Sequence, residues 1–216
     1  MPNAGFDGVE LHGAHGCLLC AFLSPELNRR TDRYGGSLEN RSRILFEILD
    51  GIRAECGPDF VVGVRLSLER FGVRLDEMRI VTQALIDSGQ VDFMDLSLWD
   101  CTKEPVEMAG SGRSLLEVTT DLARRHDPQG RRRAPIGVAG KLHDPDDIVF
   151  ALEHGADFVL LGRVAIAHHD YPRRWHDDPT WRPEAFPLSA DHYAAEGVSP
   201  RFIDYLRRSF GPIISD

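Results

Sequence analysis

Gly5-Phe6-Asp7-Gly8-Val9-Glu10-Leu11-His12-Gly13-Ala14-His15-Gly16 is the stretch on which the fold turns. From Gly5 to His12 apolar and polar residues alternate, the period of a short strand, and the strand ends in a histidine. His12 and His15 stand three apart with only small residues between them, so both rings can point into one pocket just beyond the strand. There they can donate hydrogen bonds to a carbonyl, nitro or phenolate oxygen, whether neutral or protonated. Taken alone, the pair also fits two loop histidines satisfied by ordinary hydrogen bonds.

The chain beyond this stretch repeats one pattern. After a polar loop, Ser37-Leu38-Glu39-Asn40 opens a helix that puts Ile44, Leu45, Ile48, Leu49 and Ile52 on one face, and Gly57-Pro58 stops it. The spacing then predicts a strand at 60–67, a helix at 76–88 closed by Gly89, a strand at 91–98 and a helix around 115–125. A strand at 135–139, a helix at 144–154 closed by Gly155 and a strand at 157–162 follow. Five strands thus alternate with helices. Phe60-Val61-Val62-Gly63-Val64 and Phe158-Val159-Leu160-Leu161 are nearly continuous apolar runs, which parallel strands need when helices cover them. The fold class is α/β with a parallel sheet, and periodicity alone leaves a doubly wound sheet and a (β/α)₈ barrel both open. After Tyr171 the sequence turns rich in Pro, Trp and Asp, with a short helical pattern near 200–208. The expected division is the strand-and-helix part over 1–175, which the family likeness described below makes a partial barrel, and an irregular extension with a short helix over 176–216.

Composition bounds the function. The 216 residues are 42% hydrophobic and 27% charged, in the range of an ordinary globular domain. A net charge of -9 and a pI near 5.5 argue against a nucleic-acid partner. The basic run Arg131-Arg132-Arg133 reads as a solvated loop. No apolar stretch approaches the roughly 20 residues of a membrane span, and Met1-Pro2-Asn3-Ala4 lacks the basic and apolar parts of a secretory signal, so no membrane partner and a cytoplasmic location are expected. Cys17, Cys20, Cys56 and Cys101 are too few and too uneven for a disulfide scaffold.

Residue by residue, Gly5 to Gly16, then Phe22-Leu23-Ser24-Pro25, Asn28, Arg30-Thr31-Asp32 and Tyr34 to Arg41, closely resemble the old yellow enzyme family. The likeness continues through Val64-Arg65-Leu66-Ser67, Gly140, Gly155-Ala156-Asp157 and Leu161-Gly162-Arg163, and weakens after Tyr171. The resemblance implies a TIM barrel with FMN across its C-terminal mouth, NADH or NADPH as reductant and a small electron-poor substrate such as an activated alkene. By the same likeness His12 and His15 polarise the substrate carbonyl, and Arg65 lies near the flavin's N1–C2=O edge. The turns Gly140-Lys141 and Gly162-Arg163 match the phosphate cradle.

Two departures qualify the likeness. Family members usually carry a proton-donating tyrosine two residues after the second pocket residue, and here that position is Cys17. A thiol, with a reference pKa near 8.5 against about 10 for tyrosine, can donate the proton in principle, though water serves equally well given its shorter reach. The chain also opens on what matches the family's fourth strand, so strands 4–8 are expected, and such a half-barrel would expose strand edges and self-associate or need its missing N-terminal half. Two other readings stay open. One is a remnant or binding module that has lost FMN. The other is a zinc-dependent α/β enzyme using His12, His15, Cys17 and Cys20, although no second Cys-x-x-Cys completes a structural zinc pattern and no metal is expected. Cys56 and Cys101 lie too far from the first pair for an iron–sulfur cluster.

Overall fold

The computed structural model describes residues 4–124, 134–210 and 213–215, so the basic run Arg131-Arg132-Arg133 lies outside the described residues. Two compact units emerge, Met1–Lys141 with Ala151–Val159, and Leu142–Phe150 with Leu160–Asp216.

The first unit is built on β1 (Gly8–Gly13), β2 (Val61–Ser67), β3 (Phe93–Ser97), β4 (Ile136–Ala139) and β5 (Phe158–Val159). Every neighbouring pair is parallel, and the strands lie in sequence order, β1-β2-β3-β4-β5. A doubly wound sheet reverses its order at a switch point. Here the order never reverses, so the winding is that of a barrel, and the choice that periodicity left open is settled. α1 (Leu18–Leu23) and α2 (Leu38–Cys56) follow β1, α3 (Leu75–Ser88) follows β2, and α4 (Leu115–Arg124) follows β3.

Local chemistry sets these boundaries. The Ser37 hydroxyl accepts the Asn40 N–H at 3.3 Å to start α2, and Gly57 ends it at φ +81°. Strand starts use a repeated device, an aspartate just ahead of one strand that accepts an N–H from the first two residues of its neighbour. Asp92 Oδ2 takes the Val62 N–H at 2.7 Å, and Asp157 Oδ2 takes the Ile136 N–H at 2.8 Å. α1 falls within the stretch expected to be a polar loop; six residues of unbroken Leu, Cys, Ala and Phe carry no helical period to read.

The sheet has two unlike faces. Val62, Val64, Leu66, Met94, Leu96, Ile136 and Val138 are all fully buried, and α2, α3 and α4 add Leu45, Leu49, Met78, Val81, Leu85 and Val118 to the same core. Each such side chain contributes roughly 1.5–3 kcal/mol by leaving water. The opposite face reads across the strands as Glu10, Gly63 and Phe93 in one row and His12, Arg65, Asp95, Gly137 and Phe158 in the next. Its two glycines are required by close approach. A Cβ on Gly63 would stand 2.1 Å from the Phe93 ring, and one on Gly137 would stand 2.1 Å from the Phe158 ring, while the two rings meet edge to face at 6.0 Å. Gly137→Val must therefore push Phe158 aside, and a loss of about 1–3 kcal/mol is expected in urea unfolding. An unchanged midpoint would show that the ring does not rest on Gly137.

The second unit is more ordered than the irregular extension expected over 176–216, and it begins before residue 175. It holds α6 (Arg163–Ala167), α7 (Tyr171–Asp177), β6 (Leu188–Ser189), α8 (Ala190–Ala195), α9 (Pro200–Ser209) and β7 (Ile214–Ser215); α5 (Pro145–Glu153) is divided between the units. β6 pairs in parallel with β7, and Ala167, Leu188, Tyr193, Ile203, Leu206 and Ile213 form its own buried cluster. α9 lies on the short helical pattern expected near 200–208, whereas α6, α7 and α8, of five to seven residues, are too short for a sequence period to announce them. Among the described residues no helix is long and apolar enough to cross a membrane.

Candidate active site

Backbone strain marks one end of the first unit. Among the described residues outside glycine, the left-handed ones are His15 (φ 59°), Arg70 (φ 68°), Phe71 (φ 52°), Trp99 (φ 61°) and Lys141 (φ 54°). Each lies within four residues past the C-terminal end of a strand, after β1, β2, β3 and β4 in turn. Such conformations cost of order 1–3 kcal/mol apiece and persist where the surroundings over-determine them, most often at functional sites. Because all five strands are parallel, the strained residues share the sheet's C-terminal edge, where barrels of this kind place their chemistry.

His12 and His15 meet there, with ring centroids 5.2 Å apart. The His15 backbone is held by the Ser67 hydroxyl, which accepts its N–H at 3.0 Å, and Phe71 meets the His15 ring edge-on at 6.2 Å. Burial first, then the charge of Arg65 and the neighbouring His12, lower the His15 pKa below its ordinary 6.5. At neutral pH His15 is therefore an uncharged imidazole with one N–H to give. Both rings are exposed, open to a ligand.

Arg65 is His12's register partner on β2. Its Nε donates to Ser97 Oγ at 2.8 Å and lies 3.0 Å from Asp95 Oδ2. Both of these contacts run through Nε and neither uses the terminal nitrogens, which are the donors the fixed cation can offer a bound group. Asp95 completes the row and went unremarked in the sequence, although an acidic residue in the middle of Phe93-Met94-Asp95-Leu96-Ser97 was a signal. It is wholly buried, and neither carboxyl oxygen accepts a hydrogen bond. Burial pushes its pKa up to about 6; Arg65 pulls the other way and Glu10 adds to the rise.

The remaining candidates fall in separate places. Cys17 is exposed and precedes α1, whereas Cys20 is buried and its thiol pKa is raised by that burial. Among the described residues, the acidic, histidine and cysteine groups that converge for a metal all lie in the second unit, so His12, His15, Cys17 and Cys20 do not assemble the site that the zinc reading needed. Gly140 closes β4, where a Cβ would stand 3.0 Å from the Cys101 N, and Lys141 Nζ pairs with Asp100 Oδ2 at 2.7 Å. In the second unit, Gly162 precedes α6 and is exposed together with Arg163.

Residues 2–179 match the family described as NADH:flavin oxidoreductase / NADH oxidase. The chain belongs to this family. A probable NADH-dependent flavin oxidoreductase, YqiG, of Bacillus subtilis is 31% identical over 186 residues, 83% of this chain and 45% of that protein. The N,N-dimethylglycine/sarcosine dehydrogenase of Chromohalobacter salexigens is 44% identical over 179 residues, 77% of this chain and 25% of that protein. Morphinone reductase in complex with tetrahydroNAD superposes with a TM-score of 0.64 at 29% identity, covering 89% of this chain and 48% of that one. The chain thus spans less than half the length of these NADH:flavin oxidoreductase relatives. They bear out the expected old yellow enzyme likeness and the partial barrel.

Proposed function

We propose that this chain belongs to an FMN-dependent oxidoreductase that passes reducing equivalents from NADH or NADPH to an activated alkene or a related electron-poor small molecule. The observation that carries the proposal is the row formed by His12 and Arg65, with His15 beside it, at the strained C-terminal edge of the sheet. Relatives named as a flavin oxidoreductase, a reductase and a dehydrogenase support the reaction class.

The residues present fit FMN. Arg65 offers open guanidinium donors from a rigid strand, which suits the electron-rich N1–C2=O edge of a flavin. Gly140 and Lys141, at the end of β4, would hold the phosphate, Gly140 through a backbone that a Cβ would crowd against the Cys101 N at 3.0 Å. When bound, FMN supplies two-electron hydride chemistry.

The chain's own residues do the rest. His12 and His15 donate hydrogen bonds to the substrate carbonyl oxygen, orient it, and stabilise the negative charge that grows on it as the conjugated double bond is reduced. The proton for the carbon next to the carbonyl comes from the Cys17 thiol or from water, since Cys17 is exposed where relatives usually have a tyrosine.

The test is to load the chain with excess FMN, desalt it, and measure retained flavin by absorbance and fluorescence quenching. Near-stoichiometric flavin, followed by NADH-driven reduction of a conjugated ketone, is the expected result. A folded but colourless protein would overturn it in favour of a binding module without flavin.

A further inference from the structure

The second unit contains a cluster that the reading above leaves unused. His168, just after α6, is 1% exposed, and neither of its ring nitrogens has a hydrogen-bond partner. A buried imidazole normally has both nitrogens satisfied, and each one left without a partner is costly. Two further groups face it. One ligand atom each from His168, His192 and Glu196 lie within 4.8 Å of one another.

The surroundings of these three residues constrain them as ligands. His192 Nε2 is 2.7 Å from the Ala167 carbonyl oxygen, which can only accept, so Nε2 carries the proton and the free lone pair falls on Nδ1, which has Glu184 Oε1 3.9 Å away. Glu196 follows His192 by four residues, one turn of α8 and its cap, which brings both to one side. The Glu196 carboxylate is anchored at both oxygens: Oε2 accepts the His169 N–H at 3.0 Å and lies 2.6 Å from His169 Nδ1, and Oε1 accepts from Arg174 Nη2 at 2.8 Å. Metal-binding histidines and carboxylates are typically fixed in this way, by a carbonyl or a second hydrogen bond on the atom that faces away from the ion. The Trp181 ring stands edge-on to His168 at 5.5 Å and walls off that side.

We infer that His168, His192 and Glu196 form a binding site for one divalent transition-metal ion of the zinc class. Two imidazoles and one carboxylate suit Zn²⁺, Co²⁺ or Ni²⁺, with a fourth position left to water, and do not suit Mg²⁺ or Ca²⁺, which prefer all-oxygen sites. The site is independent of the proposed flavin chemistry.

The test uses the full chain, stripped with a chelator and dialysed against Zn²⁺. One ion per chain is expected, together with a higher unfolding temperature. X-ray absorption at the zinc edge should give only nitrogen and oxygen neighbours at about 2.0–2.2 Å. His192→Gln should weaken Zn²⁺ binding by more than the roughly 10–100-fold that loss of an outer partner costs. Asp170→Asn, which alters a neighbouring trio of exposed His169 with half-buried Asp170 and Glu196, should change it by no more than a few-fold. Absence of bound zinc would overturn the assignment. So would sulfur neighbours at about 2.3 Å, which would place the ion on cysteine, or an Asp170→Asn loss as large as that of His192→Gln. Because the absorption measurement is made on the unmodified chain, the test stands even if His192→Gln fails to fold.

Discussion

Arg65→Met is expected to destabilise the chain by about 3–5 kcal/mol at pH 8, and by much less at pH 5. The cause is Asp95. Its carboxyl is wholly buried and accepts no hydrogen bond, and the Arg65 guanidinium at 3.0 Å is the charge that offsets its burial. Even with that partner the carboxyl is pushed up to about 6 from its ordinary 3.8. A carboxyl raised in the folded state gives stability that is present below the unfolded value and lost as pH rises through the folded one. Asp95 therefore favours folding below pH 3.8 and removes about 3 kcal/mol by pH 7, at about 1.4 kcal/mol per pH unit of displacement. Without Arg65 the carboxyl rises further. At pH 8 its ionised form is then stranded, whereas at pH 5 it simply stays protonated. Urea unfolding at the two pH values measures the difference, and adding Asp95→Asn to Arg65→Met should recover most of the loss at pH 8. Equal losses at both pH values would show that Arg65 acts through its packing and not through Asp95.

That pair also shows where the sequence was readable. The alternation of strands and helices was legible because 3.6-residue and 2-residue periods survive in long elements such as α2 and α3, and because Gly57-Pro58, Gly89 and Gly155 mark where helices end. Arg65 was legible through the family likeness. Asp95 was not, because a strand pattern records which positions are apolar and says little about a lone acid whose partner comes from the next strand. The register that places Arg65 beside Asp95 is a property of pairing. The same limit hid His168 and Glu196. His192 and Glu196 are one helical turn apart, but their common target is a histidine 24 residues upstream of His192, brought near only by the packing of α6 and α8. Of the helices of the second unit only α9, ten residues long, showed in the sequence; α6, α7 and α8 span five to seven residues, too few for periodicity to stand out from the Pro-rich sequence around them.

Replacing His12 and His15 together by alanine is expected to lower kcat/KM of the FMN-loaded chain for a conjugated ketone by about 10²–10³-fold, the usual scale for removing preorganised donors from a developing oxyanion. Flavin retention should not change, because neither ring belongs to the residues proposed to hold FMN. The fold should survive as well. Both side chains are exposed, and His15 already bears the left-handed strain at φ 59°, so alanine adds little there. The single variants should each lose most of the effect, since two donors aimed at one oxygen act as a unit. A pH series separates this role from simple packing. His15 is held below 6.5 by burial, Arg65 and His12, so it meets the substrate uncharged at neutral pH. An anionic oxygen ligand should therefore bind the parent chain more tightly only as pH falls below that value, when the ring gains its second proton. His15→Ala should flatten the profile. If the double variant keeps full kcat/KM, the oxyanion is stabilised elsewhere and the histidine pair is not the substrate site; if it loses flavin instead, the pair supports the cofactor and the roles given to His12 and Arg65 must be exchanged.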